Sequence, residues 1–171
     1  MAIHPIVKYP DPVLTTPAEA VAEFGTAELK QLIADMFETM YGANGVGLAA
    51  PQIGVSRRIT VIDCSVGEDP AQRYVLINPE ITAREGKQDD EEGCLSVPGF
   101  RAPVRRALRA TARAQDADGG WVEVAGEGLL ARALQHEIDH LNGILFLSHL
   151  TALKRDVIKR KIKKLQKDGE W

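Results

Sequence analysis

The segment GLLARALQHEIDHLN, residues 128–142, decides which fold the sequence predicts. Its apolar residues recur at the spacing of an amphipathic helix. Four strand-like segments come before it, and a DADGG turn between the last two is typical of a hairpin. These segments span residues 57–64, 73–83, 104–115 and 121–127. The order predicts an α+β fold in which antiparallel strands wrap around a central helix.

Two further helices are predicted, one before the strands and one after the central helix. Residues 27–41 place apolar side chains at helical spacing, and Thr26 can cap the helix start. Residues 153–166 place leucine, valine and isoleucine on one side and lysines elsewhere. We therefore expect a single domain over residues 1–171, of which about 153–171 form a basic C-terminal helix and tail.

The composition is that of an ordinary soluble globular protein. Of the 171 residues, 44% are apolar and 26% are charged, and no stretch approaches the ~20 consecutive apolar residues that a membrane span needs. The start, MAIHPIVKYPDP, contains no hydrophobic signal-peptide core. Two cysteines, Cys64 and Cys94, do not make a disulfide framework. We therefore expect a cytoplasmic monomer with neither DNA nor a membrane as its partner.

The charge is uneven along the chain. The net charge is −3, but residues 154–171 carry +5 and residues 1–153 carry −8. The simpler interpretation is that an amphipathic C-terminal helix packs its apolar side on the body and leaves its lysines in water. The second interpretation is that the lysine-rich face binds a polyanion.

His136 and His140 lie four residues apart in the central helix, within the QHEIDH segment. Side chains at that spacing share one helical face, so both imidazoles can reach one metal ion. Glu137 follows the first histidine and would act as general acid/base on a water molecule whose pKa the metal lowers. The same pattern also arises by chance in helices that bind no metal. Assigning a metal site therefore requires a third protein ligand elsewhere in the sequence.

Cys94 is the candidate for that third ligand. The segment DDEEGCLSVPG, residues 89–99, is interpreted as a polar loop in which four carboxylates precede the cysteine. Their negative charge disfavours a free thiolate, whereas a bound dication stabilises one. A metallopeptidase with a third histidine is disfavoured, because Phe146 occupies that histidine's position. Two imidazoles and one thiolate leave a fourth position open for water, as catalytic sites do.

Three separated segments relate this sequence to a known family. They are GVGLAAPQ at 45–52, EGCLS at 92–96 and QHEIDH at 135–140, and the segments YPDPVL and VLINPEI are similar as well. The chain resembles the peptide deformylases over nearly its whole length. The resemblance implies a metal-dependent hydrolase that removes the N-formyl group from the initiator methionine of new polypeptides and releases formate.

The resemblance also implies roles for the residues at the reaction centre. Glu137 would transfer the proton, while Gln52 and the backbone N–H of Leu95 would stabilise the tetrahedral oxyanion. Glu92 would accept a hydrogen bond from an arginine such as Arg106. The residues that would hold one divalent metal ion are Cys94, His136 and His140.

The substrate side of the site is expected to be apolar, because the methionine side chain is apolar and unbranched. Val46, Leu129 and Ala133 are candidate walls of this pocket. Gly47 leaves room for an extended peptide to pair with the backbone like an added strand. Arg101 either contacts carbonyl groups of the substrate or is an ordinary surface arginine.

The identity of the metal is left open between two arguments. Ligand preferences alone favour zinc for two histidines, a cysteine and water. The family typically uses iron(II) in cells, and zinc, nickel or cobalt can occupy the site in purified protein.

By the same resemblance, the basic C-terminal helix would contact ribosomal RNA, near the place where nascent formyl-methionyl peptides emerge.

Two other functions fit parts of the pattern. A zinc peptidase that cleaves internal peptide bonds would share the histidine pair, although Phe146 and the cysteine segment disfavour it. An inactive relative retained for ribosome binding would bind metal without releasing formate.

Overall fold

The computed structural model describes residues 2–171 and confirms the α+β prediction. Within these residues the order of elements is α1, seven strands, α2 and α3. The helices are α1 (Ala27–Gly42), α2 (Leu129–Leu141) and α3 (Ala152–Lys167). The strands are β1 (Gly47–Ala49), β2 (Ile59–Ile62), β3 (Tyr74–Glu85), β4 (Gln88–Cys94), β5 (Val97–Arg106), β6 (Arg109–Gln115) and β7 (Trp121–Glu127).

The strands form two antiparallel sheets. The larger sheet has five strands in the order β1-β2-β3-β6-β7, and the smaller one is the β4–β5 pair. The predicted hairpin is the β6–β7 pair, with Gln115 opposite Trp121. Its first strand is shorter than the predicted segment 104–115, because residues 104–106 belong to β5 of the smaller sheet. Because β4 and β5 leave the large sheet, they can approach α2 from a different side.

Helix α2 packs across the five-stranded sheet and is the centre of the fold. Its Leu134 and Ile138 share a buried cluster with Ile62, Leu76 and Ala112 of the sheet. Burial of such side chains is worth about 1.5–3 kcal/mol each, which fixes the helix against the sheet. The histidine-bearing face of α2 is therefore held inside the protein.

The structure corrects the prediction that residues 89–99 form a polar loop. The whole acidic part, residues 89–92, lies in strand β4, which pairs with β5 up to an irregularity between Gly93 and Cys94. Side chains alternate along a strand, so Glu92 is buried while Glu91 is exposed. Aspartate and glutamate are depleted in strands, which is why the composition favoured a loop. Cys94 thus stands at the end of a strand, in a fixed position.

The N-terminal arm lies along the body and pairs with two segments near this cysteine. The N–H of Val7 donates to the carbonyl of Gln52 at 2.7 Å, and the N–H of Tyr9 donates to the carbonyl of Ser96 at 2.9 Å. The arm therefore supports the site from outside.

Helix α3 packs its apolar side against the small sheet. Ile158 and Ile162 are buried in one cluster with Val104 of β5 and with Phe146. The lysines of α3 are all exposed. The helix therefore packs as the simpler interpretation predicts, with its apolar side on the body and its lysines in water. Among the described residues, no helix combines the length and the apolar character needed to cross a bilayer.

Candidate active site

Helix α2 and strand β4 bring three metal-ligating side chains to one point. The ligand atoms of Cys94, His136 and His140 all lie within 4.8 Å of one another. The Nε2 atoms of the two histidines are 3.0 Å apart, and the cysteine Sγ is 3.3 Å from Nε2 of His140. Two imidazoles and a thiolate are ligands that divalent transition metals prefer. The cluster therefore fits a single metal ion.

A buried glutamate fixes the orientation of one of these histidines. Glu92 is 4% exposed, and its Oε2 lies 2.7 Å from Nδ1 of His136. Because an ionised carboxylate only accepts hydrogen bonds, Nδ1 carries the proton and donates it. Nε2 of His136 is then the ring nitrogen that faces the other candidate ligands and is available to a metal ion.

Two arginines neutralise Glu92 in the interior. Arg106 donates from Nε at 3.0 Å and from Nη2 at 2.6 Å, and Arg132 donates from Nη1 at 2.8 Å. Burial works to raise the pKa of Glu92, but hydrogen bonds from His136 and Arg106 outweigh burial and hold that pKa well below its usual range. The carboxylate therefore stays ionised behind the ligand cluster.

The same network reaches the protein surface through residues that sequence reasoning missed. Nη1 of Arg106 donates to Oδ2 of Asp139 at 2.8 Å, and Nε2 of His149 lies 2.8 Å from the same oxygen. Asp139 precedes His140 in the QHEIDH segment, so its proximity to the site was visible in the sequence. Its arginine partner was not visible, because that contact depends on where β5 lies.

Glu137 is buried beside the ligand cluster. Its Oε1 lies 3.9 Å from Nε2 of His136, and Oγ1 of Thr60 lies 3.5 Å from its Oε2. Burial raises the pKa of Glu137 to about 7, while the neighbouring His136 opposes that shift and the charge of Glu92 adds to it. A carboxyl group with a pKa near neutrality can both accept and release a proton.

Gln52 presents its amide N–H to the same cluster. Its Oε1 accepts a hydrogen bond from the N–H of Ala49 at 2.9 Å, which decides which end of the amide faces the site. Its Nε2 lies 3.2 Å from Oγ of Ser96 and 3.6 Å from Sγ of Cys94. The side chain is 1% exposed, so this donor is fixed rather than mobile.

A cavity of about 610 Å³ opens onto these residues. Its size lies in the range of pockets that enclose small molecules or a few peptide residues. Leu95 lines it next to the cysteine. The other predicted substrate contacts among its walls are Val46, Gly47, Arg101, Leu129 and Ala133.

Comparison with known proteins decides the family. The family model for polypeptide deformylases matches residues 3–156 of the chain. The chain belongs to the polypeptide deformylase family. The peptide deformylase of Acidobacterium capsulatum is 61% identical over 171 residues, which cover 100% of both chains.

Solved deformylase structures share the fold. The crystal structure of a peptide deformylase from Legionella pneumophila superposes with a TM-score of 0.90 at 49% identity, covering 97% of this chain and 96% of that one. The peptide deformylase of Thermus thermophilus superposes with a TM-score of 0.87 at 44% identity, covering 97% and 99% of the two chains.

In this deformylase, every site residue named from the sequence lines the cavity or contacts a residue that does. Phe146, at the position of a third histidine in some metallopeptidases, is instead 1% exposed and packs with α3. Arg132 was missed, although it stands one helical turn before His136. Nothing in the sequence says that its guanidinium turns towards Glu92.

Proposed function

We propose that the protein removes the N-formyl group from the initiator formyl-methionine of newly synthesised polypeptides and releases formate. The observation that carries this proposal is the cluster of Cys94, His136 and His140 beside the buried Glu137, in a chain of the polypeptide deformylase family. The reaction is a hydrolysis, in which water oxygen bonds to the formyl carbon while the bond from that carbon to nitrogen breaks.

We propose that the three ligands hold one divalent ion, and that this ion is iron(II) in cells. When bound, the ion supplies a Lewis acid that lowers the pKa of a water molecule. The orientation of His136 by Glu92 supports this assignment, because its Nε2 is left free for a metal. Zinc, nickel or cobalt would be accepted by the same donors in purified protein.

Glu137 is the proposed general acid/base. Ionised, its carboxylate takes a proton from the attacking water, and protonated, it returns that proton to the leaving nitrogen of methionine. The pKa of about 7 supports both roles. The buried position supports them too, because bulk water does not compete for the proton.

Gln52 and Leu95 are the proposed oxyanion donors. Nε2 of Gln52 and the backbone N–H of Leu95 would donate to the formyl oxygen as negative charge develops there. A preorganised donor of this kind is worth about 3 kcal/mol in comparable sites. The bond from Ala49 to Oε1 of Gln52 supports the role, since it leaves the N–H end towards the cysteine.

The methionine side chain is proposed to occupy the apolar part of the cavity. Val46, Leu129 and Ala133 provide aliphatic walls, and Gly47 leaves the edge of β1 open to an extended peptide. Arg101, at the cavity wall on β5, is proposed to contact carbonyl groups further along the peptide.

Formate release tests the reaction. Protein reconstituted anaerobically with iron(II) is expected to release formate from formyl-Met-Ala-Ser, measured by a coupled formate dehydrogenase assay. A fully metallated protein that releases none would contradict the proposed function.

Replacing Cys94 by serine is expected to remove the metal. A hydroxyl remains protonated at neutral pH and is a poor replacement for a thiolate. After gel filtration, elemental analysis should find about one equivalent of iron in the parent and well under half in Cys94→Ser. Cys64→Ser is the matched control, because Cys64 lies outside the ligand cluster. Equal metal content in both variants would exclude Cys94 as a ligand.

Replacing Gly47 by alanine is expected to impair catalysis without unfolding the protein. A Cβ at residue 47 would lie 2.7 Å from Oε1 of Glu137, and 2.9 Å from both Cγ and Cδ. Displacing a reacting group by ~1 Å costs on the order of 10²-fold in rate, so kcat should fall by at least tenfold. Gly42→Ala is the control, because its Cβ would meet only the side-chain tip of Ile3, at 3.3 Å. An unchanged kcat in Gly47→Ala would show that Glu137 works from another position.

The basic helix is proposed to contact ribosomal RNA. Its exposed lysines and the +5 charge of residues 154–171 support binding to a polyanion. Affinity for ribosomes, measured by co-sedimentation, should then fall steeply as salt rises from about 50 to about 200 mM. Salt-independent binding would contradict the proposal.

That the protein is a single-domain monomer of the cytoplasm, with neither DNA nor a membrane as partner, stays a prediction.

A further inference from the structure

A tryptophan outside the cavity contacts the wall of the cavity from behind. The ring centroids of Trp171 and Phe100 are 6.0 Å apart, with the ring planes inclined at 58°. The indole Nε1–H donates to the carbonyl of Tyr9 at 2.7 Å. Phe100 lines the cavity in the same stretch of β5 as Arg101. Trp171 therefore touches both the cavity wall and the N-terminal arm.

The chain reversal after α3 places Trp171 against Phe100 and the N-terminal arm. The helix ends at Lys167, and Gly169 then adopts a left-handed φ of +72°. The N–H of Glu170 donates back to the carbonyl of Leu165 at 2.8 Å. This reversal turns the chain towards the small sheet. The indole then packs with the buried cluster that includes Val97, Ile158 and Ile162.

The arm that Trp171 contacts is bonded to the turn that follows the cysteine ligand. Tyr9, whose carbonyl accepts the indole proton, donates its own N–H to the carbonyl of Ser96 at 2.9 Å. The N–H of Ser96 lies 3.4 Å from Sγ of Cys94, and its Oγ accepts from Gln52 at 3.2 Å. The metal-ligating histidines lie on α2 and are held by other contacts. Loss of the indole is therefore expected to affect the cavity wall more than the ligand cluster.

We propose that Trp171 is a positioning residue that fixes the ring of Phe100 and so sets the affinity for the peptide residues after methionine. The proposal rests on the proposed function. The methionine pocket is assigned to Val46 and to α2, so the wall formed by residues 97–101 is left for the rest of the peptide. Loss of the indole frees the Phe100 ring, which weakens binding of a longer peptide and leaves the proton transfers of Glu137 unchanged.

Steady-state kinetics of Trp171→Ala test this inference with two substrates. The KM for formyl-Met-Ala-Ser is expected to rise about two- to tenfold, as for loss of one aromatic pair, with kcat within about twofold of the parent. The KM for formyl-methionine alone should not change. Trp171→Phe keeps a ring against Phe100 and should restore most of the tripeptide affinity. The matched control is Trp121→Ala, whose exposed indole stacks on Arg113, because neither residue lines the cavity.

Two results would overturn the inference while leaving the proposed function intact. One is an unchanged tripeptide KM in Trp171→Ala, and the other is an equal rise in KM for both substrates. An inert parent would instead overturn the proposed function.

Fluorescence gives a readout that needs no turnover. The chain has two tryptophans, so Trp121→Phe leaves Trp171 as the only one. Binding of the product Met-Ala-Ser should shift its emission, whereas binding of methionine alone should not. Identical spectra with and without saturating tripeptide would contradict contact through Phe100.

Discussion

Glu137→Gln is expected to lower kcat for formate release by about 10²–10⁴-fold while the protein keeps its metal. Glutamine has the same shape, so the cavity is preserved, but it cannot accept the proton of the attacking water. The ligand atoms of Cys94, His136 and His140 are untouched by the substitution, so the ion should stay bound.

Measurement of kcat and metal content on the same preparation separates the two effects. Glu123→Gln, at an exposed position on β7, is the control and should behave as the parent. Loss of metal in Glu137→Gln would make Glu137 a ligand instead. Activity within tenfold of the parent would remove it from the proton transfer altogether.

Glu92→Ala is expected to destabilise the protein by about 3–5 kcal/mol, the usual cost of removing one partner from a buried ion pair. The guanidinium groups of Arg106 and Arg132 would both lose a buried anionic partner, and each is about 5% exposed. His136 would also lose the acceptor of its Nδ1 proton. Metal affinity should therefore fall by about 10–100-fold as well.

Thermal unfolding of the apo and metal-loaded proteins measures both losses, and the melting temperature should drop by roughly 10 °C. Asp89→Ala is the matched control on the same strand. Asp89 accepts two bonds from Arg105, at 2.8 and 3.1 Å, but both side chains are exposed. Such a surface pair is worth ~1 kcal/mol or less. Similar losses in the two variants would show that burial of the Glu92 network adds no stability.

The sequence predicted the elements whose patterns are local. Helix α2 was predicted within one or two residues of its ends, because its apolar spacing and its histidine pair lie on one continuous segment. Strand β4 was not, because Asp89 to Glu92 favour a loop by composition and form a strand only through pairing with β5. Tertiary pairing here overrides local preference.

The same difference between local patterns and long-range contacts applies within the site. The metal cluster and Glu137 could be named, because fixed spacing on a helix places side chains together. The contacts of Arg132, Ser96 and His149 could not, since each joins segments whose relative position the sequence does not state. Their partners lie between 10 and 44 residues away along the chain.

The order of elements along the chain affects how the protein is made. All seven strands precede α2, so the ribosome releases the complete large sheet before the helix that covers it. Until then, Ile62, Leu76 and Val124 lack the cover of Leu134, and exposed apolar strands of this kind favour aggregation. Since His136 and His140 arrive with α2, the cluster of three metal-ligating side chains is complete only after that helix has been synthesised.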